Sequence, residues 1–237
     1  MAITYVSSFE SNVGNTIEGD YVDVTVNIGT RTNGLLLVMV ANYDSNVSYA
    51  SAATYNSVSM TRDTYRSYAA QYLSTTIFSL ANPSNGSNTL RVTFSGALYS
   101  AHSTSIYAAW FDGALQTSPT DQVNNGEGTT DPSLVITPTQ NGDVIVSVYY
   151  SQANGVLTVG SGETLIQDHS FGPRTTGCSY VIQTTAAAQT MDWAGTDDYW
   201  CMCVAAYKEV AGAAAYVPYP FSRGARGGLA EASGGLA

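Results

Sequence analysis

Apolar and polar residues alternate along many short segments of this chain. Between positions 21 and 28, valine or isoleucine fills every second position, and polar residues or tyrosine fill the others. This period of two is typical of a β-strand with one buried and one solvated face, as in an antiparallel sheet of a sandwich. Residues 35–40 are apolar throughout, which predicts a central strand covered on both faces.

No segment has the pattern of an amphipathic helix, and Asn-Gly or Ser-Gly turn signals separate the apolar segments. Many short strands of this kind predict a sandwich or jelly roll. The predicted strands are 4–9, 21–28, 35–43, 54–61, 75–80, 89–94, 105–111, 133–137, 143–150, 156–159, 164–169, 178–184, 189–193 and 199–207.

The second part of the chain repeats features of the first in the same order. The matches are Asn-Gly before an apolar run (33–34 and 141–142), Phe-Ser-Gly with Trp-Ala-Gly (94–96 and 193–195), and Ala-Ala-Trp with Ala-Ala-Tyr (108–110 and 205–207). Self-similarity in a fixed order indicates a repeated structural unit. We therefore predict an all-β, jelly-roll-like antiparallel β-sandwich built from two related halves, with an extended C-terminal tail.

The predicted domain spans residues 1–210, with halves of about 1–112 and 133–210. Segment 113–132 is rich in turn formers and poor in apolar residues, so we expect a long loop there. We expect both halves to contribute to one core, because the first half alone is small for a stable sandwich. Two sequential sandwiches are the alternative.

Segment 211–237 differs from the rest because it is rich in glycine and alanine and carries an aromatic and proline cluster. Proline restricts φ, and aromatic rings supply contact area at low entropic cost, so this tail is predicted to contact another subunit. Packing of the tail on its own domain is the alternative. The candidate interface residues are Tyr216, Pro218, Tyr219, Pro220, Phe221, Arg223 and Arg226.

Charge is scarce and mostly negative. Charged residues make up 11% of the chain, and 8 Lys and Arg against 18 Asp and Glu give a net charge of −10. Scattered arginines in an acidic chain argue against a nucleic-acid partner. No apolar run approaches the ~20 residues of a membrane helix, and the first residues do not resemble a classical signal peptide. We expect a virion or extracellular location, with no membrane partner.

The sequence offers no convincing catalytic set. His102 lies in a predicted loop, and His169 follows Asp168 directly, so the two side chains point to opposite faces of a strand. Nucleophile-elbow, phosphate-loop and zinc-protease motifs are missing from the sequence. The prediction is a non-enzymatic protein with no catalytic residue, no cofactor and no metal site.

Cysteine and acidic residues have ordinary interpretations. Cys201 and Cys203 flank one residue on a predicted strand, so both face the same way and are expected to be small buried apolar residues. A bridge from either one to Cys178 is the alternative. The oxygen-rich stretch 121–131 and the pair Asp197 and Asp198 do not match a calcium-binding loop and are expected to be solvated.

Tyrosine is abundant, and several of the 17 tyrosines lie in segment 44–72 together with Arg62 and Arg66. Aromatic faces stack on sugar rings, and Tyr and Arg are favoured at contact surfaces. The candidate glycan contacts are Tyr49, Tyr65, Tyr68 and Tyr72. The alternative is that these tyrosines are half-buried strand residues with no ligand.

Several segments together carry a resemblance: 34–40 (GLLLVMV), 55–61 (YNSVSMT), 77–83 (IFSLANP), 89–96 (TLRVTFSG), 110–121 (WFDGALQTSPTD) and 204–208 (VAAYK). Over residues 20–208 the chain resembles a diffuse group of β-sandwich proteins and domains of bacterial surfaces and tailed-phage virions. The resemblance implies a fold and no catalytic residue, and it leaves segment 211–237 out.

Two functional hypotheses follow, and an enzyme whose catalytic residues cannot be identified from the sequence is the third alternative. The first is a structural or decoration protein of a virion or other extracellular particle, whose partners are other copies of itself and other particle subunits. The second is a carbohydrate-binding or adhesive surface module, whose partners are surface glycans.

Overall fold

The computed structural model describes residues 2–14, 19–98, 103–153, 157–195 and 197–210. In these residues the chain is almost entirely β-strand, with a single turn of 3₁₀ helix at Ala69–Gln71. The predicted all-β sandwich is therefore confirmed. Within the same residues, no helix is long and apolar enough to cross a membrane.

The first half contains nine strands in two sheets. The strands are β1 (Thr4–Gly14), β2 (Tyr21–Asn27), β3 (Leu35–Tyr43), β4 (Ala50–Tyr55), β5 (Val58–Ser59), β6 (Thr61–Tyr68), β7 (Leu73–Ala81), β8 (Ser87–Phe94) and β9 (Ser103–Asp112). Inner sheet 1 has the order β1-β9-β3-β7-β6, and outer sheet 1 has the order β2-β8-β4-β5.

The second half contains eight strands. They are β10 (Thr120–Gly128), β11 (Ser133–Ile136), β12 (Val144–Ser151), β13 (Thr158–Val159), β14 (Thr164–Ser170), β15 (Thr175–Ile182), β16 (Gln189–Ala194) and β17 (Trp200–Tyr207). Inner sheet 2 has the order β10-β17-β12-β15-β14, and outer sheet 2 has the order β11-β16-β13.

Each half has the topology of a jelly roll. In the first half, β1 pairs with β9, β2 with β8, β3 with β7, and β4 with β5, as in one long nested hairpin. The further pairs β3 with β9 and β4 with β8 roll this hairpin into two sheets. The second half repeats the scheme. Strands β10, β11, β12 and β13 take the places of β1, β2, β3 and β4, and strands β14, β15, β16 and β17 take the places of β6, β7, β8 and β9.

The four sheets form four layers around three cores. Side chains between outer and inner sheet 1 form one core, and those between inner and outer sheet 2 form another. The third core, here called the shared core, lies between the two inner sheets and takes residues from both halves. Each half is thus a sandwich of its own, and the pair is joined back to back. The sequence predicts one core that both halves share, and the structure has two further cores, one inside each half.

The apolar run in β3 is explained by these layers. Leu35, Leu37 and Met39 enter the shared core, whereas Leu36 and Val38 enter the core of the first half. The prediction of a central strand covered on both faces is confirmed. In β2, Val22 and Val26 are buried and Tyr21 is 45% exposed, which confirms the predicted alternation.

Segment 113–132 is not simply a long loop, which corrects the prediction made from its composition. Residues Thr120–Gly128 form β10, which pairs with β17 along the edge of inner sheet 2. The strand has no apolar alternation because its side chains are only partly buried. Its pairing depends on the exposed backbone groups of β17, which local sequence does not reveal.

Segment 54–61 is also corrected, since it is not one strand. Asn56 and Ser57 have φ of 50° and 63° and form the turn between β4 and β5. Two adjacent residues with positive φ are typical of a tight hairpin turn. The next strand, β6, was not predicted, because its sequence is almost wholly polar or aromatic.

The repeat itself is confirmed in topology but shifted in register. In β3, Leu35 is paired with Phe111, and in β12, Val144 is paired with Tyr207. Phe111 is therefore the counterpart of Tyr207, and both enter the shared core. Trp110, which the sequence match aligned with Tyr207, faces the core of the first half. A shift of one residue exchanges the two faces of a strand.

The same shift affects the turns that precede the central strands. Two residues before β3 stands Asn33, and two residues before β12 stands Gly142, with φ of 49° and 85°. A residue with a left-handed backbone conformation therefore stands at the same position before the central strand in both halves, and both Asn and Gly adopt this conformation readily. The position that follows is Gly34 in the first half and Asp143 in the second.

Candidate functional site

Strand β6 is the edge strand of inner sheet 1 and carries side chains on two very different faces. A β-bulge between Arg62 and Thr64 interrupts its pairing with β7. The bulge re-aims the side chains on either side of it. One face of β6 contacts the second half through the pairs Asp63–Tyr207, Thr64–Asn125, Arg66–Glu127 and Tyr68–Tyr199.

The other face of β6 carries an aromatic and cationic stack. The rings of Tyr49 and Tyr65 stack with centroids 5.1 Å apart and planes 21° apart. The guanidinium carbon of Arg62 lies 4.6 Å from the centroid of Tyr65 and 5.7 Å from that of Tyr49. Tyr65 is 41% exposed, and Arg62 is exposed as well. We call these three residues the Arg62 surface.

A depression with both polar and apolar lining residues adjoins the Arg62 surface, and Arg62 belongs to both. Four residues with hydroxyl side chains contribute to its lining: Thr61, Ser79, Ser118 and Thr120. Asp63 lies in it and accepts hydrogen bonds from Thr120 Oγ1 at 2.7 Å and from Tyr207 OH at 2.8 Å. Burial raises the pKa of Asp63, against the opposing effect of these hydrogen bonds. A depression with some hydroxyl groups in its lining, beside an exposed ring, can hold a small ligand.

The four tyrosines predicted as glycan contacts do not form one platform. Tyr49 and Tyr65 lie together, whereas Tyr68 points to the opposite face of β6 and meets Tyr199 edge to face. Tyr72 also lies elsewhere, at the turn before β7. The alternation of side chains along a strand separates Tyr65 from Tyr68, since they are three positions apart.

Tyr72 belongs to a cluster at the end of the shared core. Its ring meets Tyr43 edge to face at 6.1 Å, and Tyr43 in turn stacks on Tyr150 of the second half. The guanidinium carbon of Arg174, also from the second half, lies 3.6 Å from the centroid of Tyr43. These contacts join the two halves, which gives the cluster a structural role.

The predicted tail contacts lie outside the described residues. They are Tyr216, Pro218, Tyr219, Pro220, Phe221, Arg223 and Arg226. His102 also lies outside them. The described chain reaches Val210, whose N–H donates to the carbonyl of Gly113.

His169 lies on the seam between the halves. Its Nδ1 is 2.9 Å from Asn12 Nδ2 and 3.6 Å from Glu10 Oε1, both on β1. Ser105 Oγ donates to Asn12 Oδ1, and Thr176 Oγ1 lies 2.8 Å from Ser105 Oγ. This polar chain links edge strands β1 and β14, and Ser105 in it is fully buried. The arrangement joins the two halves, and the hydroxyl groups in it belong to the buried residues Ser105 and Thr176.

The three thiols are free and buried, so the alternative of a bridge from Cys178 is wrong. All three enter the shared core, as expected for small apolar residues. Burial raises the pKa of Cys203 to about 12 and raises those of Cys178 and Cys201 as well. Thiols with such pKa values carry almost no thiolate near neutral pH and are unreactive.

The oxygen-rich stretch 121–131 consists of most of β10 and the three residues after it, and its mostly half-buried side chains contact the rest of the protein, which corrects the expectation of a solvated stretch. Glu127 pairs with Arg66, Asn124 donates to the carbonyl of Val135, and Asp131 accepts from the N–H of Gly195. In the described part of the chain, no group of three or more His, Cys, Asp and Glu residues is arranged to hold a metal ion.

A buried carboxylate pair was missed by sequence analysis. Asp143 is fully buried, and its carboxylate lies close to the side chains of Gln140 and Asp121 without a well-formed hydrogen bond. Burial raises the pKa of Asp143 to about 7, and the adjacent carboxylate of Asp121 contributes to the rise. Asp121 itself accepts from the N–H and hydroxyl of Thr139 and lies 3.9 Å from Lys208 Nζ. Although burial alone would raise it, these contacts lower the pKa of Asp121.

A scan against protein-family models, a search of curated proteins and a search of solved structures each return no match for the chain.

Proposed function

We propose that the chain is a non-enzymatic structural or decoration subunit of a virion or another extracellular particle. The observation that supports this is the back-to-back packing of two jelly rolls through a shared core, which makes one thick block from a single chain. Jelly rolls recur in viral capsids and in lectins. A surface with few charges also suits contact with other subunits.

Assembly in this proposal takes place through the outside of the sandwich and through segment 211–237. The segment follows Val210 directly and contains the aromatic and proline cluster at 216–221. The resemblance to sandwich domains of tailed-phage virions and bacterial surfaces agrees with this role.

Density-gradient fractionation of the source culture, followed by proteomics, tests the proposal. We expect the chain in a particle band, in a fixed ratio to a capsid or filament protein. Recovery only on cells or free in the medium would contradict it. Purified chains ending at 210 and at 237 form a second test, with mass measured by analytical ultracentrifugation. Equal assembly of both would remove the segment from the proposal.

A second function, a carbohydrate-binding or adhesive module, is favoured by a specific observation. The exposed ring of Tyr65 stacks on the half-buried ring of Tyr49 next to a depression whose lining includes hydroxyl side chains, and Arg62 belongs to both features. Aromatic faces bind sugar rings, and a few polar groups fix orientation.

Tyr65→Ala and Tyr68→Ala are matched variants for this second function, because they remove the same ring from opposite faces of one strand. A glycan array should show binding that Tyr65→Ala weakens and Tyr68→Ala leaves intact. Equal loss in both variants would place the ligand elsewhere.

A further inference from the structure

We infer that the Arg62 surface binds saccharides that carry a carboxylate, such as oligomers of uronic acids. The inference rests on the second function proposed above and names its class of ligand. It is carried by the unused donors of Arg62, by an internal example of the expected contact, and by the lining of the adjacent depression.

Arg62 differs from most cationic side chains of the described chain. Four of the six described cations lie within 4 Å of a carboxylate, in the pairs Arg31–Asp112, Arg66–Glu127, Arg91–Asp23 and Lys208–Asp121. Arg62 and Arg174 lie on tyrosine rings instead and have no carboxylate partner among the described residues.

The two stacked arginines have different surroundings. Arg174 reaches from the second half onto Tyr43 of the first and is partly covered, so it closes the end of the shared core. Arg62 lies over two rings of its own half, is exposed, and lines a depression. Its guanidinium therefore presents N–H donors to solvent while the rings restrict its position.

The protein itself shows how such an arginine takes a carboxylate. Arg91 Cζ lies 4.1 Å from the ring centroid of Tyr21, and its Nε and Nη2 donate to the two carboxylate oxygens of Asp23 at 2.7 and 2.6 Å. This two-pronged contact is the strong geometry for a guanidinium and a carboxylate. Arg62 also lies over a ring, with its Cζ 4.6 Å from the centroid of Tyr65, and a ligand carboxylate would take the place that Asp23 has beside Arg91.

The surroundings of Arg62 favour a sugar over an acidic peptide. The exposed ring of Tyr65 offers a stacking face, and the exposed residues Thr61 and Ser118 in the lining of the depression offer hydroxyl groups. Asp63 also lies in the depression, with its oxygens accepting from Thr120 and Tyr207. A ligand carboxylate is therefore expected on the Tyr65 side of Arg62, away from Asp63, with sugar hydroxyls toward the depression.

Titration calorimetry of the full chain tests the inference with three probes: a galacturonic acid oligosaccharide, a neutral galactose oligosaccharide of equal length, and a polyglutamate peptide. We expect the uronate to bind and the other two to bind more weakly. Arg62→Gln should weaken uronate binding by about 10-fold or more, because a charged two-pronged contact is lost. Added salt should weaken it too.

Arg91→Gln is the matched control, since it removes another exposed arginine from a tyrosine ring without touching the Arg62 surface. It should leave uronate binding unchanged, and Arg62→Lys should restore only part of it, because lysine lacks the planar fork. Circular dichroism of each variant checks that it folds.

The outcomes separate the inference from the function on which it rests. Equal binding of neutral and acidic oligosaccharides would overturn the inference and leave a carbohydrate-binding module in place. Binding of polyglutamate as strong as that of the uronate would overturn the choice of a saccharide. Binding of no oligosaccharide would overturn the inference and the second function together.

Discussion

Strands β6 and β14 occupy the same place in the two jelly rolls, and they differ in what they present. Both are edge strands of an inner sheet, and both carry a bulge after their second residue. From the pairing of each with its neighbour, Arg62 corresponds to Leu165 and Tyr65 to Asp168. The stack with Tyr49 is thus a property of the first half alone.

The comparison separates what the fold requires from what a surface adds. The bulge is present in both halves, and the residue inside it is Asp63 in one and Ile166 in the other. Ile166 packs into the shared core, whereas Asp63 hydrogen-bonds across the seam. The fold needs a bulged edge strand, and it accepts either chemistry at that point.

The largest effect is expected in the cores that the two halves do not share. Trp193 is fully buried, and its ring lies 4.4 Å from that of Tyr149. Trp193→Ala should lower the free energy of unfolding by about 3–5 kcal/mol. Phe94→Ala, in the corresponding segment of the first half, is the matched variant. Urea unfolding should show one transition in both, because the shared core couples the halves. Two separate transitions would show that the halves unfold independently.

The next effect concerns the position that is Gly34 in one half and Asp143 in the other. Because the pKa of Asp143 is raised to about 7 from an ordinary value of 3.8, the folded state binds an extra proton between these values. Stability should therefore fall as pH rises through this window, by at most about 1.4 kcal/mol per pH unit, and level off above it. Because the pKa of Asp121 is lowered from 3.8, the ionisation of Asp121 affects stability at pH values below this window.

Asp143→Asn isolates this effect, because an amide of nearly the same shape does not titrate. Urea unfolding at pH 5 and pH 8 should show a smaller difference for the variant than for the parent chain. Asp63 and Glu163 also have raised pKa values, so the difference between the two proteins is the quantity to measure. An unchanged difference would show that Asp143 ionises normally.

A smaller effect is expected where the second half needs a glycine and the first does not. Gly177 of β15 corresponds to Thr76 of β7. A Cβ at Gly177 would lie 2.8 Å from a ring carbon of Tyr149 and 3.0 Å from one of Trp193. Both rings are buried, so Gly177→Ala should cost about 1–3 kcal/mol in thermal unfolding. Gly19→Ala, where a Cβ meets nothing within 4 Å, should cost far less.

The smallest effect is expected at the two edge strands. Arg62→Gln and Leu165→Gln should each change the free energy of unfolding by no more than about 0.5 kcal/mol, since both side chains are exposed. A large cost for Arg62→Gln alone would mean that the Arg62 surface stabilises the fold, which would weaken its assignment as a binding site.

Strands with strong apolar signals were predictable, and those with polar neighbours were not. The bounds of β3 were predicted correctly, because buried aliphatic residues fill both of its faces. Strand β6 was missed because its inner face meets polar partners such as Asn125 and Glu127 across the seam. Those partners lie about sixty residues away in sequence, so local pattern cannot reveal them.

The candidate site was predictable only in part, for the same reason. Segment 44–72 was recognised from its tyrosines, but the separation of Tyr65 from Tyr68 depends on the course of β6. The sequence shows that Arg62 lies near these tyrosines along the chain. It does not show that Arg62 has no carboxylate partner among the described residues, because ion pairs depend on the folded structure. The register of the repeat was shifted by one residue, since equal dipeptides such as Asn-Gly need not occupy equal positions.

The shared core has a consequence for the growing chain on the ribosome. The first jelly roll has all its strands once Asp112 has emerged, yet the inner face lined by Leu35, Leu37 and Met39 has no cover until β17 ends at Tyr207. At about 5–20 residues per second, the 95 residues between these points take roughly 5–20 s. During that interval a broad aliphatic sheet faces water, so yield in the cell should depend on elongation rate and on chaperones that cover the nascent first half.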